Sequence, residues 1–518
     1  MTPAAGAEAP GAVAPPRSRI ELWPLLVAIP LLLFSNGRWV IAAAAWLSPV
    51  FLLRFMRIHR RPWGVLGVAA ALYGIDLIAW NGMIPGPGAM YFAVVAFIAL
   101  SSFVPYLADR LLAPRIAGFA STLVFPCAWV TMEYLQALAG PYGTWGSAAY
   151  AMTDDLPLIQ IVSVTGLWGV SFLVAWFAAV ANWAWERGFV WREVRAGVLA
   201  LTLVLAATHL LGGARVALAP AATRTIRVAS FTQPPSGPYL GRLLQHAPGA
   251  GSLVQLRARL RAREDTLLAL AGREAAAGAR IVLWSECNLP VLKEDEAAVI
   301  ADGSRLARET GIYLLMALAV FTPGQGYYEN ELVALDPAGN LSVRYHKARP
   351  APGDAERGCD RQIPLLETPF GRVAMAICFD MDFPQLIHRA GRERADLLIA
   401  PSSDWRAIDP LHTRMALMRG VENGCSVVRQ TNAGLSAAAD PQGRLLAYAD
   451  YFGTRPDVMV AQVPVGGRRT LYAMTGDLFA YLCIATLAFL VRGHRSHAAL
   501  ESAEGAARIP VREPGAVS

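Results

Sequence analysis

The 518-residue chain has few charged residues, and this shortage restricts its class before any motif is considered. Charged residues make up 16% of the chain and hydrophobic residues 55%, whereas soluble domains average about 25% charged residues. A disordered protein is excluded, because disordered chains are rich in charge and poor in apolar residues. The length allows about three domains of ordinary size, and a purely soluble enzyme is not expected. We therefore expect part of the chain to lie in a lipid bilayer.

The chain also lacks the cysteine spacing of metal and disulfide sites. Its six cysteines contain no CxxC pair and lie at Cys127, Cys287, Cys359, Cys378, Cys425 and Cys483. This spacing argues against a structural zinc site and against a dense disulfide framework. Basic residues number 46 and acidic residues 39, which gives a net charge of +7. In a membrane protein such an excess usually lies in cytoplasmic loops, so nucleic acid is not expected as a partner.

Long apolar runs dominate the first part of the chain. Residues 1–18, rich in Ala, Pro and Gly, are expected to form a disordered tail. Seven apolar runs follow, at residues 20–36, 39–55, 64–81, 88–108, 118–136, 159–184 and 195–212. Most of them approach the ~20 residues that cross a hydrocarbon core. We expect about seven transmembrane helices over 19–215, a C-terminal one over 470–492 and a cytoplasmic tail over 493–518.

Basic residues mark every second loop between these runs. They follow the second, fourth and sixth runs and comprise Arg54, Arg57, Arg60, Arg61, Arg110, Arg115, Arg187, Arg192 and Arg195. The alternate loops carry almost no basic charge, with Arg38 as the exception. Because basic loops usually lie on the cytoplasmic side, the pattern predicts both termini in the cytoplasm and residues 224–466 outside.

Residues 224–466 have the pattern of a water-soluble α/β domain. Charged helical stretches and Gly/Pro turns separate strand-like apolar runs. These runs read IRVASF, RIVLWSE, IYLLMALAVF, ELVALDP, RVAMAICFD, DLLIAPSS, SVVRQTN and VMVAQVPV. The sequence therefore predicts an extramembrane α/β domain after the seventh apolar run.

Three reactive side chains stand at the ends of strand-like runs in this domain. Glu286 follows IVLWS, Lys347 follows LSVRYH, and Cys378 follows RVAMAI. A cysteine becomes a good nucleophile when a cation lowers its pKa and a base takes its proton, and a Glu, a Lys and a Cys from three neighbouring strands would supply these parts. The lysine would also hold an oxyanion together with the backbone N–H of Phe379. Each residue alone also has a plainer interpretation, as a small core residue or a surface charge.

The surroundings of these residues resemble a known superfamily. WSECNLP, YHKARP and AICFDMDFP are similar to the Glu–Lys–Cys motifs of the nitrilase, or carbon–nitrogen hydrolase, superfamily. The resemblance continues through ADLLIAPSSDW, HTRMALMRGVENG and RQTNAGLSAAADPQGRL. It implies an αββα sandwich over 224–466.

The apolar runs restrict the resemblance to one membrane-embedded family of this superfamily. A nitrilase-like domain between seven upstream spans and one downstream span resembles the apolipoprotein N-acyltransferase family, as do PLIQIVSVTGLWGVSFLVAW and TLYAMTGDLFAYLC. This resemblance implies a multi-pass protein of the bacterial inner membrane with a periplasmic catalytic domain. Its substrates would be a phospholipid acyl donor and a diacylglyceryl apolipoprotein acceptor. It would need no metal and no organic cofactor.

Some motifs depart from the pattern of that family. The family's additional glutamate has no direct counterpart in PAPGDAERG, where Glu356 is the nearest candidate and Asp354 the second. After the cysteine this chain has Phe379 and Asp380, where the family commonly has Tyr and Glu. A loop expected to carry several aromatics reads SSDWRAID, with Trp405 as its single aromatic beside Arg406. We predict that Trp405 and Arg406 bind substrate, although Trp405 is alternatively a packed residue at a strand end.

The resemblance implies acyl transfer in two steps. Glu286 would take the thiol proton as Cys378 attacks the phospholipid ester, and the acceptor amine would then attack the thioester. Two alternatives stay open from the residues alone. One is a membrane-tethered amidase or nitrilase-type hydrolase with the same triad, in which water attacks the thioester. The other is a degenerate paralogue whose spans act as a structural module, and the intact triad argues against it.

Overall fold

A computed structural model describes residues 21–59, 62–85, 88–233, 250–358, 360–453 and 458–507. The expected disordered tail at 1–18, the loop residues Arg60 and Arg61, Cys359 and the end of the expected cytoplasmic tail at 508–518 lie outside the described residues. The described chain forms a helical region, then a mixed α/β region, and ends in a long helix.

Apolar helices build the helical region. Helices α1 to α9 cover Trp23–Leu33, Ala42–Ile58, Pro62–Ala79, Gly88–Leu112, Val124–Ala139, Leu156–Ile159, Val162–Thr165, Trp168–Glu186 and Trp191–Ala217. Within the described residues, four helical stretches are long and apolar enough to cross a membrane: Pro62–Ala79, Gly88–Arg115, Trp168–Glu186 and Trp191–Ala217. The total of about seven spans in this region stays a prediction.

The sixth apolar run is not one continuous helix. It was expected to span 159–184, but α7 ends at Thr165 and α8 begins at Trp168. Gly166 separates them with a left-handed φ of +64°. Its missing side chain also makes room for a neighbour, because a Cβ at this position would press on the ring of Tyr472. The break therefore needs glycine for both its conformation and its packing.

Two sheets form the centre of the α/β region. Strands β1 to β13 cover Thr225–Phe231, Ile281–Trp284, Leu289–Leu292, Tyr313–Phe321, Tyr328–Leu335, Leu341–His346, Leu365–Thr368, Gly371–Met375, Leu397–Ser403, Ser426–Asn432, Leu435–Ala439, Leu445–Asp450 and Val458–Pro464. The first sheet has the order β13-β1-β2-β4-β5-β6, with β3 paired to β4, and the second has the order β12-β11-β10-β9-β8-β7. In the first sheet β1, β2 and β4 are parallel neighbours, and β3 is also parallel to β4. In the second sheet β8, β9 and β10 are parallel, and antiparallel strands flank the parallel ones in both sheets.

The two sheets pack face to face between layers of helices. The remaining helices, α10 to α15, cover Ala250–Ala276, Glu296–Thr310, Pro384–Arg392, Leu411–Asn423, Leu471–Thr475 and Leu478–Ala507. Leu283 of the first sheet and Ile399 of the second belong to one buried core, while Leu267 of α10 packs on the outer face of the first sheet. All nine residues of β4 are buried, as expected for a strand that is covered on both faces. The expected αββα sandwich beside a region of apolar helices is confirmed.

Helix α13 joins the sandwich to the helical region. Its Met418 and Val421 pack in one buried cluster with Leu158 and Ile159 of α6. This contact brings the ends of the second sheet's strands against the helical region. The final helix α15 continues to Ala507, beyond the start of the tail expected at 493.

Candidate active site

A cavity of about 300 Å³ lies between the two regions. Glu286, Lys347 and Cys378 of the α/β region all line it. The helical region contributes apolar side chains, namely those of Trp80, Met83, Ile84, Phe97 and Ile98. The cavity therefore joins a charged wall to an apolar wall.

The three predicted residues reach this cavity from both sheets. Glu286 lies two residues after β2, Lys347 directly follows β6, and Cys378 begins a 3₁₀ turn three residues after β8. Strands β2 and β6 are separated by β4 and β5 in the first sheet, and β8 belongs to the second sheet. The expectation of three neighbouring strands is wrong, because the face-to-face packing of the sheets, rather than strand order, brings these ends together.

Lys347 is held between two carboxylates. Its Nζ lies 2.8 Å from Oε1 of Glu286 and 3.0 Å from Oε2 of Glu356. Nδ2 of Asn330 donates hydrogen bonds of 2.7 Å to Oε1 of both glutamates, and the hydroxyl of Tyr328 donates to Glu356 at 3.0 Å. We call Glu286, Asn330, Lys347 and Glu356 the lysine cluster. Burial opposes the charge of Lys347, but the two carboxylates outweigh it and hold its pKa well above the ordinary value.

The structure distinguishes the two candidates for the additional acid. Glu356 contacts the Lys347 ammonium, whereas Asp354 lines the cavity without a hydrogen bond or ion pair to its carboxylate from the described residues. Asn330 was missed by the sequence analysis. It lies inside a strand whose alternation gave no sign of a buried amide, so no local pattern identified it.

Cys378 has the backbone geometry of a constrained turn. Its φ is +47°, a left-handed value that is uncommon for a residue with a Cβ. The residue is 5% exposed, and its Sγ lies 3.6 Å from the carbonyl oxygen of Ser403, to which the thiol donates. Burial and the Glu286 carboxylate raise the pKa of the thiol well above its ordinary value, while Lys347 acts in the opposite direction. The resting group is therefore a thiol whose proton must be taken by a base.

The buried carboxylate of Asp380 holds the Cys378 turn in place through hydrogen bonds. Its Oδ2 accepts hydrogen bonds from the hydroxyl of Tyr345 at 2.8 Å and from the N–H of Ile377 at 2.9 Å, and its Oδ1 accepts from the N–H of Arg349 at 2.8 Å. Burial raises the pKa of Asp380 to about 7, although these hydrogen bonds oppose the rise. The acid thus ties the Cys378 turn to the segment around Lys347. Phe379, the predicted oxyanion residue, lines the cavity beside the thiol.

A second charged group lies on the other side of Cys378. Nδ1 of His412 is 2.7 Å from Oδ1 of Asp404, and Nε2 is 3.0 Å from Oδ2 of Asp382. The guanidinium of Arg429 contacts both oxygens of Asp404, at 2.9 and 3.0 Å. We call Asp382, Asp404, His412 and Arg429 the histidine cluster. Asp404, His412 and Arg429 were not predicted as site residues, although an arginine inside the apolar run SVVRQTN is a sign of a buried ion pair.

Two sets of side chains have the donor atoms of a metal site. One is Cys378, Asp404 and His412, and the other is Glu286, Cys287 and Glu356, with the donor atoms of each set within 4.8 Å of one another. In both sets a buried cation already occupies the carboxylates, Arg429 in the first and Lys347 in the second. Neither set fits a metal ion, because the ion would lie against a positive charge.

Of the two predicted substrate-binding residues, only one lines the cavity. Trp405 lines the cavity, and its Nε1 donates a 2.7 Å hydrogen bond to the carbonyl oxygen of Gly82 in the helical region. Arg406 points elsewhere, since its guanidinium lies over the ring of Phe452, 4.6 Å from the ring centroid. Among the described residues Arg406 is not part of the cavity lining. The structure therefore brings Trp405 to the site and leaves Arg406 outside it.

A loop of the helical region completes the histidine cluster. The indole N–H of Trp145 donates to Oδ2 of Asp382 at 2.9 Å, and the N–H and hydroxyl of Thr144 donate to the carbonyl oxygen of Asp382 at 3.0 and 2.9 Å. Gly143 precedes them with a φ of +54°, and a Cβ there would clash with the same carbonyl. The ring centroids of Trp145 and His412 are 5.3 Å apart. The site is thus built by both regions of the chain.

Two family models match most of the chain. Residues 31–180 match the Apolipoprotein N-acyltransferase N-terminal domain, and residues 228–471 match Carbon-nitrogen hydrolase. An apolipoprotein N-acyltransferase of Geobacter metallireducens is 28% identical over 466 residues, which cover 82% of this chain and 84% of the relative. One of Azotobacter vinelandii is 28% identical over 488 residues and covers 85% of each chain.

Among solved structures, an amidase from Nesterenkonia sp. is similar to part of the chain. It is 18% identical with a TM-score of 0.37, and the match covers 48% of this chain and 94% of the amidase.

Proposed function

Because the chain belongs to the apolipoprotein N-acyltransferase family, we propose that it transfers an acyl chain from a phospholipid to the N-terminal amine of a diacylglyceryl-cysteine apolipoprotein. It is a membrane protein and an N-acyltransferase. The acyl group is carried between the two substrates as a thioester on Cys378.

The shape of the cavity is the observation that carries this proposal. The thiol of Cys378 and the lysine cluster share one cavity with Trp80, Met83, Ile84, Phe97 and Ile98 of the helical region. An acyl chain can lie against these apolar side chains while its ester carbonyl reaches the thiol. A small soluble amide would have no use for the apolar wall, so the hydrolase alternative is not favoured.

In the first half-reaction the donor is cleaved. Glu286 takes the thiol proton, and Sγ of Cys378 forms a bond to the ester carbonyl carbon. Lys347 and the backbone N–H of Phe379 stabilise the oxyanion. The oxyanion then collapses, the carbonyl–oxygen bond to the glycerol breaks, and Glu286 returns the proton to the leaving oxygen. The products are a thioester and a lysophospholipid.

In the second half-reaction the amine replaces the sulfur. The acceptor ammonium releases one proton to the surrounding water, and its nitrogen then attacks the thioester carbonyl from the same cavity. Glu286 accepts the second amine proton as the carbon–sulfur bond breaks, and it passes this proton to the departing thiolate. Confining both lipid-anchored substrates to one membrane raises their effective concentration at the site.

Mass spectrometry of a model lipoprotein tests the proposal directly. The full chain, or its C378A variant, is expressed in bacteria depleted of their own N-acyltransferase. A third acyl chain on the N-terminal amine is expected with the unsubstituted chain only. A lipoprotein that stays diacylated, together with release of free fatty acid, would instead support the membrane-tethered hydrolase.

We also propose that the chain spans the bacterial inner membrane several times with the α/β domain in the periplasm. The alternation of basic loops supports this orientation. A reporter active only in the periplasm should be active when fused after Arg224 and silent when fused after His59. The reverse pattern would move the catalytic domain to the cytoplasm and contradict the proposed orientation.

A further inference from the structure

The histidine cluster has no part in the reaction as proposed so far, although it lies beside the nucleophile. A ring nitrogen of His412, a carboxylate oxygen of Asp404 and Sγ of Cys378 all lie within 4.8 Å of one another. His412 is 2% exposed, and Asp382 and Arg429 are fully buried. Charges so close to the sulfur and so far from water act on it strongly, because little solvent screens them.

The charges of this cluster cancel when His412 is protonated. Asp382 and Asp404 contribute two negative charges, and Arg429 and the imidazolium contribute two positive charges. Both ring nitrogens face carboxylate oxygens, at 2.7 and 3.0 Å, and an imidazolium donates to both. Nδ1 also lies 2.9 Å from a guanidinium nitrogen of Arg429, which is held by the same Asp404 carboxylate. Burial and the charge of Arg429 oppose the imidazolium, but Asp382 and Asp404 outweigh them and raise the pKa of His412 to about 9.

We propose that His412 is a positioning residue that acts through charge: as an imidazolium it neutralises the two carboxylates beside Cys378 and thereby keeps the thiolate accessible during acyl transfer. Its ring nitrogens are committed to Asp382 and Asp404, so it neither takes the thiol proton nor binds the oxyanion. This role rests on the proposed function of Cys378 as the nucleophile.

Charged or titratable groups from several elements face the thiol and His412. These groups are Glu286 after β2, Lys347 after β6, Asp382 after β8, Asp404 after β9, Arg419 on α13, Arg429 on β10 and Tyr150 in the helical region. On the thiol itself, Asp404 and Glu286 raise the pKa, while Lys347 and Arg429 lower it. Removing one cation from this set leaves one uncompensated negative charge beside the sulfur, and the thiol pKa must then rise.

Single and double variants separate this role from a purely structural one. The full chain is purified in detergent, and iodoacetamide alkylation at the Cys378 peptide is followed by mass spectrometry as a function of pH. H412Q should move the titration upward by about 1 unit, or about tenfold less thiolate at a fixed pH below the pKa. H412Q/D382N removes one charge of each sign and should return the titration toward that of the unsubstituted chain.

Two further variants complete the test. D382N alone leaves one surplus positive charge and should move the titration downward, while its amide oxygen still accepts from Trp145. This variant serves if H412Q does not fold. H388Q is the matched control, because His388 lies on α12 and bonds the carbonyl of Tyr472 away from the cavity; it should leave the titration unchanged.

The proposal is overturned by an unchanged titration in H412Q, by a double variant shifted as far as the single one, or by an upward or absent shift in D382N. Alkylation needs no lipid, so these results are independent of the acyl-transfer reaction. Absence of an acyl adduct in the unsubstituted chain would count against the proposed function alone.

Discussion

Cys378 lies between two charged clusters that differ in their charge balance. The lysine cluster places two carboxylates, Glu286 and Glu356, around the single cation of Lys347. The histidine cluster matches two carboxylates with two cations. A cluster with a surplus carboxylate can accept a proton, whereas in the histidine cluster both ring nitrogens of His412 are already engaged by carboxylates. The comparison therefore assigns proton transfer to one side of the sulfur and a constant electrostatic environment to the other.

The largest effect is expected from substitution of Cys378, whose sulfur lies near both clusters. C378S should abolish the acyl-enzyme, because an alkoxide is far harder to generate than a thiolate in this setting. The adduct is measured as hydroxylamine-sensitive incorporation of a labelled acyl chain. C425A is the control, since Cys425 is buried in the same domain but outside the cavity lining of the described residues. A persistent adduct in C378S would place the reaction elsewhere.

The next effect tests proton transfer by the lysine cluster. E286Q keeps the size and hydrogen-bonding capacity of the side chain but removes the base, so acylation should slow by roughly 10²–10⁴-fold. Single-turnover acylation with a labelled phospholipid gives the rate. E331Q is the control, because Glu331 is fully buried on β5 but is absent from the described cavity lining. Equal losses in both variants would mean that any buried acid of the domain matters for folding.

K347M tests the cation of the same cluster. Without the ammonium, the carboxylates of Glu286 and Glu356 are uncompensated near the sulfur, so the pKa of the thiol should rise by about 1 unit or more. The alkylation profile at Cys378 should shift to higher pH, and the oxyanion should lose a partner. An unchanged profile would show that Lys347 is only a structural ion-pair partner.

The histidine cluster should make the stability of the folded chain depend on pH. The pKa of His412 is raised from 6.5 to about 9 in the folded chain, so its contribution is complete below about pH 6.5 and is lost as the pH rises through about 9. The melting temperature of the detergent-solubilised chain should fall over this interval. The fall should be smaller in H412Q and unchanged in H388Q. The same fall in all three proteins would assign it to other groups.

The smallest effect concerns the edge of the cavity near both clusters. W405A should slow acylation by a long-chain phospholipid by roughly fivefold to tenfold, on the order of 1 kcal/mol, because Trp405 is 37% exposed and covers only part of the chain. A short soluble ester should be affected less. W405F separates the ring from the hydrogen bond to Gly82. Equal losses on both donors, with a lower melting temperature, would show that Trp405 is a packed residue.

The sequence predicts one of the two clusters better than the other. Glu286 and Cys378 follow apolar runs, and such runs mark buried strands whose ends carry function. Lys347 follows the more exposed strand LSVRYH, and the motif YHKARP was the sign that identified it. The strands β3, β7, β11 and β12 were not predicted. They are short, alanine-rich or only partly buried, so their apolar content does not stand out.

The histidine cluster escaped prediction for a geometric reason. Asp382, Asp404, His412 and Arg429 come from a turn, a loop, a helix and a strand, and their spacing has no period that a sequence pattern can detect. Trp145, which also contacts Asp382, lies in a loop of the helical region and is still farther away along the sequence. The pairing of β9 with β10 brings Asp404 to Arg429, and the packing of α13 against the second sheet adds His412.

The close fit of the Gly143–Trp145 loop on Asp382 has a consequence for the biogenesis of the enzyme. Asp382 receives hydrogen bonds from Thr144 and Trp145, so a sandwich folded without the preceding helices lacks both these donors and the cover that they provide. The surroundings of Asp382 are consequently complete only when the helical region and the α/β region pack together. The charge environment of Cys378 therefore depends on the docking of the two regions, and a chain in which they have not docked should be inactive.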